Sequence, residues 1–294
     1  MDPKRLINIS KGKTALVVPD LHVKNGERER TLDRLRAISK MIYDIKPDYV
    51  IVMGDVGEFA NVADWIKSFD GSKAWQDAMT FREALMRLKS YVTAQNARHK
   101  RGRHLDRIYE PIWILLEGNH EERWRRRPET KGGAGQQGKW GHDLLQFFAE
   151  ELEFQWIPLG KYFWIEKIGF AHYQKTGTKK QAAALSSMKN RHRSFFCVHE
   201  HTYGLLMDWC PDGDRLVVGK LGCAKPPEDT DTEAGEWSGI TVLADMKDGN
   251  CMPHSYTYDQ VLEQYGDGEY AQELRTARAN EQKDRQSAQM AFGA

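Results

Sequence analysis

The chain lacks the features that would assign it to several common classes of protein. It has no apolar run near the ~20 residues that a membrane-spanning helix needs, and residues 1–13 lack the apolar core of a signal peptide. Its four cysteines form no C-x-x-C pair, which favours reduced thiols in a cytoplasmic protein. The formal net charge is only +1, so any preference for a polyanion must come from local clusters. We therefore expect a cytoplasmic protein with no membrane partner.

Apolar patterning in the first half predicts a layered α/β fold. Short apolar runs predict strands at residues 14–19, 49–53 and 111–116, and helical spacing predicts helices at residues 28–45 and 75–97. The order strand-helix-strand-helix-strand is typical of a layered sheet. A chain of 294 residues is near the upper limit for one domain and long enough to bury a sizeable core.

The second half is richer in strands, which we expect to form a second sheet. Helical patterns occupy residues 144–152 and 181–190, and residues 226–236 form an acidic loop. Residues 266–294 are polar, so we expect a C-terminal tail that is helical or disordered, following a domain of residues 1–265. The predicted strands are 162–165, 169–172, 195–199, 203–207, 215–221 and 240–245.

Five short blocks of polar residues carry the chemistry, each at the predicted end of a strand. Side chains two apart in extended chain point the same way, and ligands at the carboxyl ends of strands share one crevice. A mixed Asp, Asn and His set suits Mn, Fe or Zn. Each residue alone has an ordinary explanation as a turn or cap residue, and His142 and His192 compete with His172. The blocks are Pro19-Asp20-Leu21-His22, Gly54-Asp55-Val56-Gly57-Glu58, Gly118-Asn119-His120-Glu121, His172, and His199-Glu200-His201.

In this order, the blocks resemble the pattern of the calcineurin-like metallophosphoesterases: D-x-H, G-D-x-x-D/E, G-N-H-D/E, H, and G-H-x-H. The resemblance covers about residues 15–202. It implies a metallophosphoesterase-like αββα four-layer sandwich, with two mixed β-sheets flanked by helices. It also implies a hydrolase of phosphate esters that depends on two divalent metal ions, with Mn²⁺ as the first choice and Fe, Zn or Ni as alternatives.

Carried over residue by residue, the resemblance implies a role for each position. A hydroxide between the metals would attack phosphorus in line. His120 would act as the general acid, and Glu58 would orient His120. The first metal would be held by Asp20, His22 and His201, the second by Asn119, His172 and His199, and both by Asp55.

Four positions depart from the family pattern. Val23 and Val198 stand where glycine is usual, which changes the backbone and spares every ligand. Phe59 and Glu117 stand where the protein serine/threonine phosphatases of this superfamily carry arginine to grip phosphate. These two departures argue against that branch of the superfamily.

Basic residues near the blocks suggest what selects the substrate. Four arginines follow the G-N-H-E block, with Trp124 among them, and arginine with tryptophan can hold phosphates and stack bases. A second cluster, residues 98–107, has an equally good explanation as solvated surface. The predicted substrate-binding residues are Arg123, Arg125, Arg126 and Arg127.

The preferred hypothesis is a phosphodiesterase or nuclease acting on nucleotides or nucleic acid. One alternative is a phosphomonoesterase acting on a small compound or a protein, because the same site can serve monoesters. The other is a non-catalytic scaffold with this fold. The scaffold is disfavoured because all seven ligand positions and His120 are filled.

Overall fold

Strand β1 (Lys13–Val18) divides its side chains between two hydrophobic cores. Leu16 and Val18 face one core, while Ala15 and Val17 face the other, and all four are fully buried. Successive side chains of a strand point to opposite faces, so a strand that is covered on both faces reads as a continuous apolar run. This is why the sequence shows no polar alternation here.

The computed structural model describes residues 11–26, 29–62, 71–130, 138–173, 193–209, 215–226, 229–231 and 235–292. Its strands are β1 (Lys13–Val18), β2 (Tyr49–Val52), β3 (Ile112–Leu116), β4 (Phe154–Ile157), β5 (Phe163–Ile165), β6 (Ile168–Phe170), β7 (Phe195–Cys197), β8 (Tyr203–Trp209), β9 (Arg215–Leu221), β10 (Gly239–Lys247) and β11 (Asn250–Thr257). Its α-helices are α1 (Glu29–Ile45), α2 (Gly71–Arg101), α3 (Asn119–Thr130), α4 (Gly138–Glu151), α5 (Tyr258–Tyr265) and α6 (Glu269–Phe292). Short 3₁₀ turns lie at Ala60–Val62 and Leu105–Arg107.

The strands form two mixed sheets. The first has the order β11-β10-β1-β2-β3-β4, with β1 to β4 parallel and β10 and β11 antiparallel. The second has the order β5-β6-β7-β9-β8. One face of the first sheet packs on the second sheet, and its other face packs on helices including α1 and α2. The predicted fold of two mixed sheets flanked by helices is thus confirmed, while the predicted helix at residues 181–190 lies outside the described residues.

The second half does not form one sheet, so that expectation is wrong in part. Strand β10, predicted at residues 240–245, pairs antiparallel with β1 in the first sheet, and β11 pairs with β10. The pairing of β10 with β1 leaves no open edge beside the central parallel strands. Strands β4 and β11 and helices α3 and α5 are additions that the sequence pattern did not predict.

The C-terminal segment is helical where it is described. Helix α5 begins at a capping box, in which the Thr257 side chain accepts from the Gln260 backbone N–H and the Gln260 side chain accepts from the Thr257 N–H. At the start of α6, Ala271 is buried against the helix-covered core, with Tyr270 and Leu274 packed beside it. Most of the later described side chains of α6 are exposed. The division at residue 265 stays a prediction.

Candidate metal centre

The predicted ligands come together where the strands of both sheets end. Asp20 follows β1, Asp55 follows β2, and Asn119 begins α3 directly after β3. From the second sheet, His172 follows β6 and His199 follows β7. The carboxyl ends of parallel strands lie at one edge of a sheet, and both sheets contribute to the same site because they pack face to face.

The first group of donors contains Asp20, His22 and His201. One ligand atom from each lies within 4.8 Å of the other two. The Nε2 atoms of His22 and His201 are 2.9 Å apart, and His201 Nε2 is 3.4 Å from Asp20 Oδ2. This is the trio that the family pattern assigns to one metal.

The second group contains Asp55, His172 and His199, whose donor atoms also lie within 4.8 Å of one another. Asn119 joins them, since its Oδ1 is 2.9 Å from His172 Nε2. The rings of His172 and His199 have centroids 5.3 Å apart. The structure therefore brings together all four residues that the sequence placed around a second ion.

Asp55 stands between the two groups. Its Oδ2 is 3.3 Å from His172 Nε2 in the second group and 3.9 Å from His22 Nε2 in the first. Its Oδ1 accepts a hydrogen bond from the His120 backbone N–H at 2.8 Å. One carboxylate can therefore serve both groups while the backbone fixes its orientation.

Three of the four predicted histidine ligands are oriented through their Nδ1 atoms. His22 Nδ1 donates to Glu58 Oε2 at 2.9 Å, and His201 Nδ1 donates to Glu236 Oε1 at 2.6 Å. His172 Nδ1 donates to the Met53 carbonyl oxygen at 2.8 Å. An Nδ1–H held in this way leaves the Nε2 lone pair facing inward, as in metal-binding histidines.

The donor set fits divalent cations. The Nε2 atoms of His22 and His201 point at each other at 2.9 Å, an arrangement that an ion between them would relieve. Asp20 is fully buried, and its Oδ1 has no hydrogen-bond partner among the described residues. Buried carboxylate oxygens are normally paired or bound to metal, so the chemistry and the geometry agree.

The electrostatics of the second group also favour positive charge. Burial alone would lower the pKa of His172, but Asp55 and Asp20 raise it to about 10. Burial would raise the pKa of Asp55, but His172, His120 and His22 hold it far below its ordinary value. A buried group of carboxylates that raises the pKa of a neighbouring histidine also attracts a cation.

Glu58 contacts different partners from those expected. Its carboxylate accepts from His22, and its Oε1 is 4.0 Å from His120 Nδ1. His120 Nδ1 instead donates to the backbone carbonyl oxygen of Glu58 at 2.8 Å. The main chain of Glu58 therefore orients His120, while its side chain orients His22.

Glu121 joins two of the ligand loops. It is 1% exposed, and its carboxylate accepts from the backbone N–H groups of Asp55 at 3.0 Å, Val56 at 2.7 Å and Gly118 at 2.9 Å. Burial and the Asp55 carboxylate raise the pKa of Glu121 to about 8, while the three donated hydrogen bonds favour its ionised form. Glu121 thereby fixes the loop after β2 against the loop after β3.

The predicted substrate-binding arginines are described in part. The Arg123 side chain lines a cleft of about 820 Å³ that includes His22, His120 and His201. Arg125, Arg126 and Arg127 lie on α3, but their side chains are not described.

Trp124 is not placed to stack a base. Its ring packs beside Phe59, with centroids 6.2 Å apart, against the helix-covered core. Of the two residues that competed with His172, His142 lies on α4, where its side chain is not described, and His192 lies outside the described residues. The structure places His172 at the site.

Sequence reasoning missed Glu236 and the role of Glu121. Glu236 lies in the stretch that the sequence classified as an acidic loop, and 35 positions separate it from His201. Lys225 Nζ at 2.7 Å and the Asp231 backbone N–H at 2.8 Å also donate to its Oε2. No motif marks Glu236, whereas Glu121 stood inside a quoted block without an assigned task.

The fold and the site define a class of protein, and comparison with known families identifies it. The sequence profile of the calcineurin-like phosphoesterase family matches residues 13–250. The chain belongs to this family and is a metal-dependent hydrolase of phosphate esters. No curated protein sequence matches the chain.

Several solved structures are similar in fold. YfcE, a phosphoesterase from E. coli, is 10% identical with a TM-score of 0.38, covering 83% of this chain and 99% of its own. Vps29 from Entamoeba histolytica, complexed with zinc, is 10% identical with a TM-score of 0.35 and the same coverage. A dimetal phosphatase from Danio rerio is 13% identical with a TM-score of 0.35, covering 84% and 96%. At these scores the similarities add nothing to the family match.

None of the helices among the described residues is long and apolar enough to cross a membrane.

Proposed function

We propose that this chain is a phosphodiesterase or nuclease that uses two divalent ions, with Mn²⁺ as the preferred metal. The observation that carries the proposal is the position of Asp55 Oδ2, 3.3 Å from His172 Nε2 and 3.9 Å from His22 Nε2. One carboxylate oxygen placed between two groups of donors could help to hold two ions, as two-metal hydrolysis would need.

Seven side chains divide into two ligand sets in this proposal. When bound, the ions supply Lewis-acid stabilisation of phosphate oxygens and a water of lowered pKa. Glu58, Glu236 and the Met53 carbonyl keep the Nε2 atoms of three histidines directed inward. The first set is Asp20, His22, His201 and Asp55, and the second is Asn119, His172, His199 and Asp55.

His120 is the proposed general acid. Its Nδ1 is occupied by the Glu58 carbonyl, which leaves Nε2–H to protonate the leaving oxygen. Burial lowers the pKa of His120, whereas the carboxylates of Asp55 and Glu58 oppose this shift. A phosphate anion beside the ring would favour the protonated form further.

The cleft supports a diester substrate. Its volume of about 820 Å³ is near the upper end of the range for small-ligand sites, so groups can extend from both sides of a bound phosphate. Arg123 supplies positive charge at its wall, where Lys24 and Lys225 are paired with Asp229 and Glu236. Apart from histidines, none of its described lining residues is aromatic, which favours contacts with phosphate and sugar over base stacking.

Turnover of matched esters tests the proposal. The purified chain with Mn²⁺ should hydrolyse bis-p-nitrophenyl phosphate faster than p-nitrophenyl phosphate, and it should cleave labelled DNA or RNA. The metal-free chain is the control and should be inactive until Mn²⁺ is restored. Turnover of the monoester without the diester would overturn the diesterase assignment in favour of a phosphomonoesterase. Absence of any turnover with metal bound would favour a scaffold.

We also propose a cytoplasmic location. It is supported by the thiols of Cys197 and Cys223, which are buried and form no disulfide.

A further inference from the structure

A second basic surface lies at the far end of helix α2. It consists of Arg98, Lys100, Arg101, Arg103 and Arg107, which we call the basic patch, and all five residues are exposed. Arg98, Lys100 and Arg101 lie in the last turn of α2, and Arg107 lies in the 3₁₀ turn that follows it. Arg103 lies between these two elements. Five cations within ten positions stand out in a chain whose formal net charge is only +1.

The positive charge of the basic patch is weakly neutralised. Asp106 and Glu110 are the acidic residues of the segment 98–110. Lys100 Nζ is 3.9 Å from Glu110 Oε1, and these side chains are 60% and 72% exposed, so the pair contributes little. The ion pairs between described residues include none of the four arginines of the basic patch. The segment therefore keeps an excess of three positive charges, with histidines neutral.

Helix α1 extends this surface. The Tyr43 hydroxyl and His99 Nε2 are 2.7 Å apart, which ties the end of α2 to α1. Lys46 Nζ lies over the Tyr43 ring, 5.4 Å from its centroid. A sixth cation, in the residue directly after α1, therefore lies near the basic patch.

The basic patch is remote from the cleft, although the same helix reaches both. Gln76 and Asp77, near the start of α2, line the cleft. From Gln76 to Arg98 the helix rises roughly 33 Å, at ~1.5 Å per residue. The arginines of the basic patch therefore cannot grip the phosphate that reacts at the metal centre, and a ligand that touches both places must span about 10 base pairs at ~3.4 Å each.

We propose that the basic patch binds the phosphate backbone of nucleic acid and holds a long strand or duplex at a distance from the cleft. Four of the five residues of the basic patch are arginines, and a planar guanidinium can donate two parallel hydrogen bonds to the oxygens of one phosphate. Leu105, 66% exposed among the cations, is the one large apolar side chain of the segment that is exposed. An isolated leucine does not provide the apolar face that membrane-surface helices bury. The inference extends the nuclease function proposed above, although the patch can bind nucleic acid whether or not the cleft cleaves it.

Binding as a function of duplex length tests the inference. Fluorescence anisotropy would compare labelled duplexes of 8 and 30 base pairs, with Mn²⁺ and then with EDTA, which prevents hydrolysis. The full chain should bind the 30-mer at least about tenfold more tightly than the 8-mer. The double variant Arg103→Glu/Arg107→Glu should lose that advantage. It should also lower the slope of log K against log salt by about 1.8, the value for two lost phosphate contacts.

A charge-matched control and a melting curve exclude trivial causes. The double variant Lys161→Glu/Lys283→Glu changes two exposed lysines outside the patch by the same total charge, and it should bind the 30-mer as the original chain does. Circular dichroism melting should be unchanged in both variants. Equal loss in the control, or no loss in the patch variant, would refute a specific surface.

Three further outcomes separate this inference from its alternatives. Co-sedimentation with phosphatidylserine vesicles in the absence of duplex binding would replace nucleic acid with a membrane surface and overturn the proposal. If the chain hydrolyses bis-p-nitrophenyl phosphate but the patch variant binds the duplex as before, only the nucleic-acid role of the basic patch is refuted. Lost duplex binding in that variant, with no turnover of any ester, would refute the proposed activity alone.

Discussion

Replacement of Glu236 by glutamine should weaken metal binding, although Glu236 is not a predicted ligand. Its two oxygens face donors only: His201 Nδ1–H on Oε1, and Lys225 Nζ and the Asp231 N–H on Oε2. Burial alone would raise the pKa of Glu236, but the contacts with Lys225 and His201 lower it to about 2. Glu236 is therefore an ionised acceptor at every pH at which the enzyme would work.

The amide of Glu236→Gln cannot satisfy this arrangement. If its oxygen stays with Lys225 and Asp231, its NH₂ group faces the His201 Nδ1–H across the present 2.6 Å. The ring must then turn away or move its proton to Nε2, which removes the lone pair that faces the metal. In the flipped amide the NH₂ group would face two donors, Lys225 and the Asp231 N–H, instead of one. The unflipped amide is therefore favoured, and the lost hydrogen bond is the one to His201.

The expected magnitude follows from losing the orientation of one ligand. Removing such a partner typically reduces metal affinity or activity by ~10–100-fold, which corresponds to about 1.4–2.7 kcal/mol. Titration of the metal-free variant with Mn²⁺, followed by calorimetry and by diester turnover, measures both quantities. Because Glu236 acts through His201, excess Mn²⁺ should restore much of the turnover.

The matched control is Glu263→Gln, which also removes a partly buried, paired carboxylate. Glu263 bonds to Arg278 on the C-terminal helix and has no contact with the metal centre. It should leave Mn²⁺ affinity unchanged. If Glu236→Gln binds Mn²⁺ as tightly as the original chain, or if both variants weaken it equally, the positioning role of Glu236 is refuted.

Three further changes separate ligand, acid and backbone roles. Asp55→Asn should reduce diester turnover by more than ~100-fold, beyond the effect of an orienting residue, and calorimetry should find fewer than two bound ions; two ions at full affinity would contradict the bridging role. His120→Ala should slow cleavage of DNA or RNA by ~10²–10⁴-fold while Mn²⁺ affinity is retained. It should slow hydrolysis of p-nitrophenyl esters far less, because nitrophenolate leaves without a proton. Equal losses on both kinds of substrate would contradict the role of His120 as general acid. Gly118→Ala places a Cβ 2.1 Å from Asp55 Oδ1 and 2.3 Å from the Asp55 backbone N. The melting temperature should therefore fall and turnover should be lost. An unchanged melting temperature would show that the two loops can move apart to admit the methyl group.

Much of the parallel core could be predicted from the sequence because it depends on local patterns. Strands β1, β2 and β3 are continuous apolar runs, and α1 and α2 have apolar residues at helical spacing. These patterns arise because each element is buried by its immediate neighbours. They also place Asp20, Asp55 and Asn119 correctly at strand ends.

Helix α3 could not be predicted in the same way. Its sequence, Asn-His-Glu-Glu-Arg-Trp-Arg-Arg-Arg-Pro-Glu-Thr, has Trp124 as its one large apolar side chain, so no apolar stripe announces a helix. Glu121 and Glu122 stand in its first turn, where the helix dipole favours acidic residues. Its start is also fixed from outside, by the bond from the His120 N–H to Asp55. Tertiary contacts therefore define this helix more than its composition does.

The partner of Glu58 could not be read from the sequence for a related reason. Glu58 follows Asp55 by three positions, which indicates that it lies near the site but does not say which histidine its carboxylate reaches. The choice depends on the backbone, since Phe59 has a φ of 49° and the Glu58 carbonyl faces His120. Because the carbonyl takes that position, the carboxylate is left for His22.

Four predicted ligands adopt a backbone conformation that no sequence motif records. His22, Asp55, His199 and His201 have φ values between 46° and 75°, a left-handed conformation that costs non-glycine residues about 1–3 kcal/mol each. Protein contacts oppose this strain, as Glu121 accepts from the Asp55 N–H. A residue that stabilises a ligand's backbone in this way needs only to place an acceptor near it. Different residue types at different positions can do this, so they form no sequence motif. The ligands can therefore be predicted from sequence, whereas the residues that keep them in position require the fold.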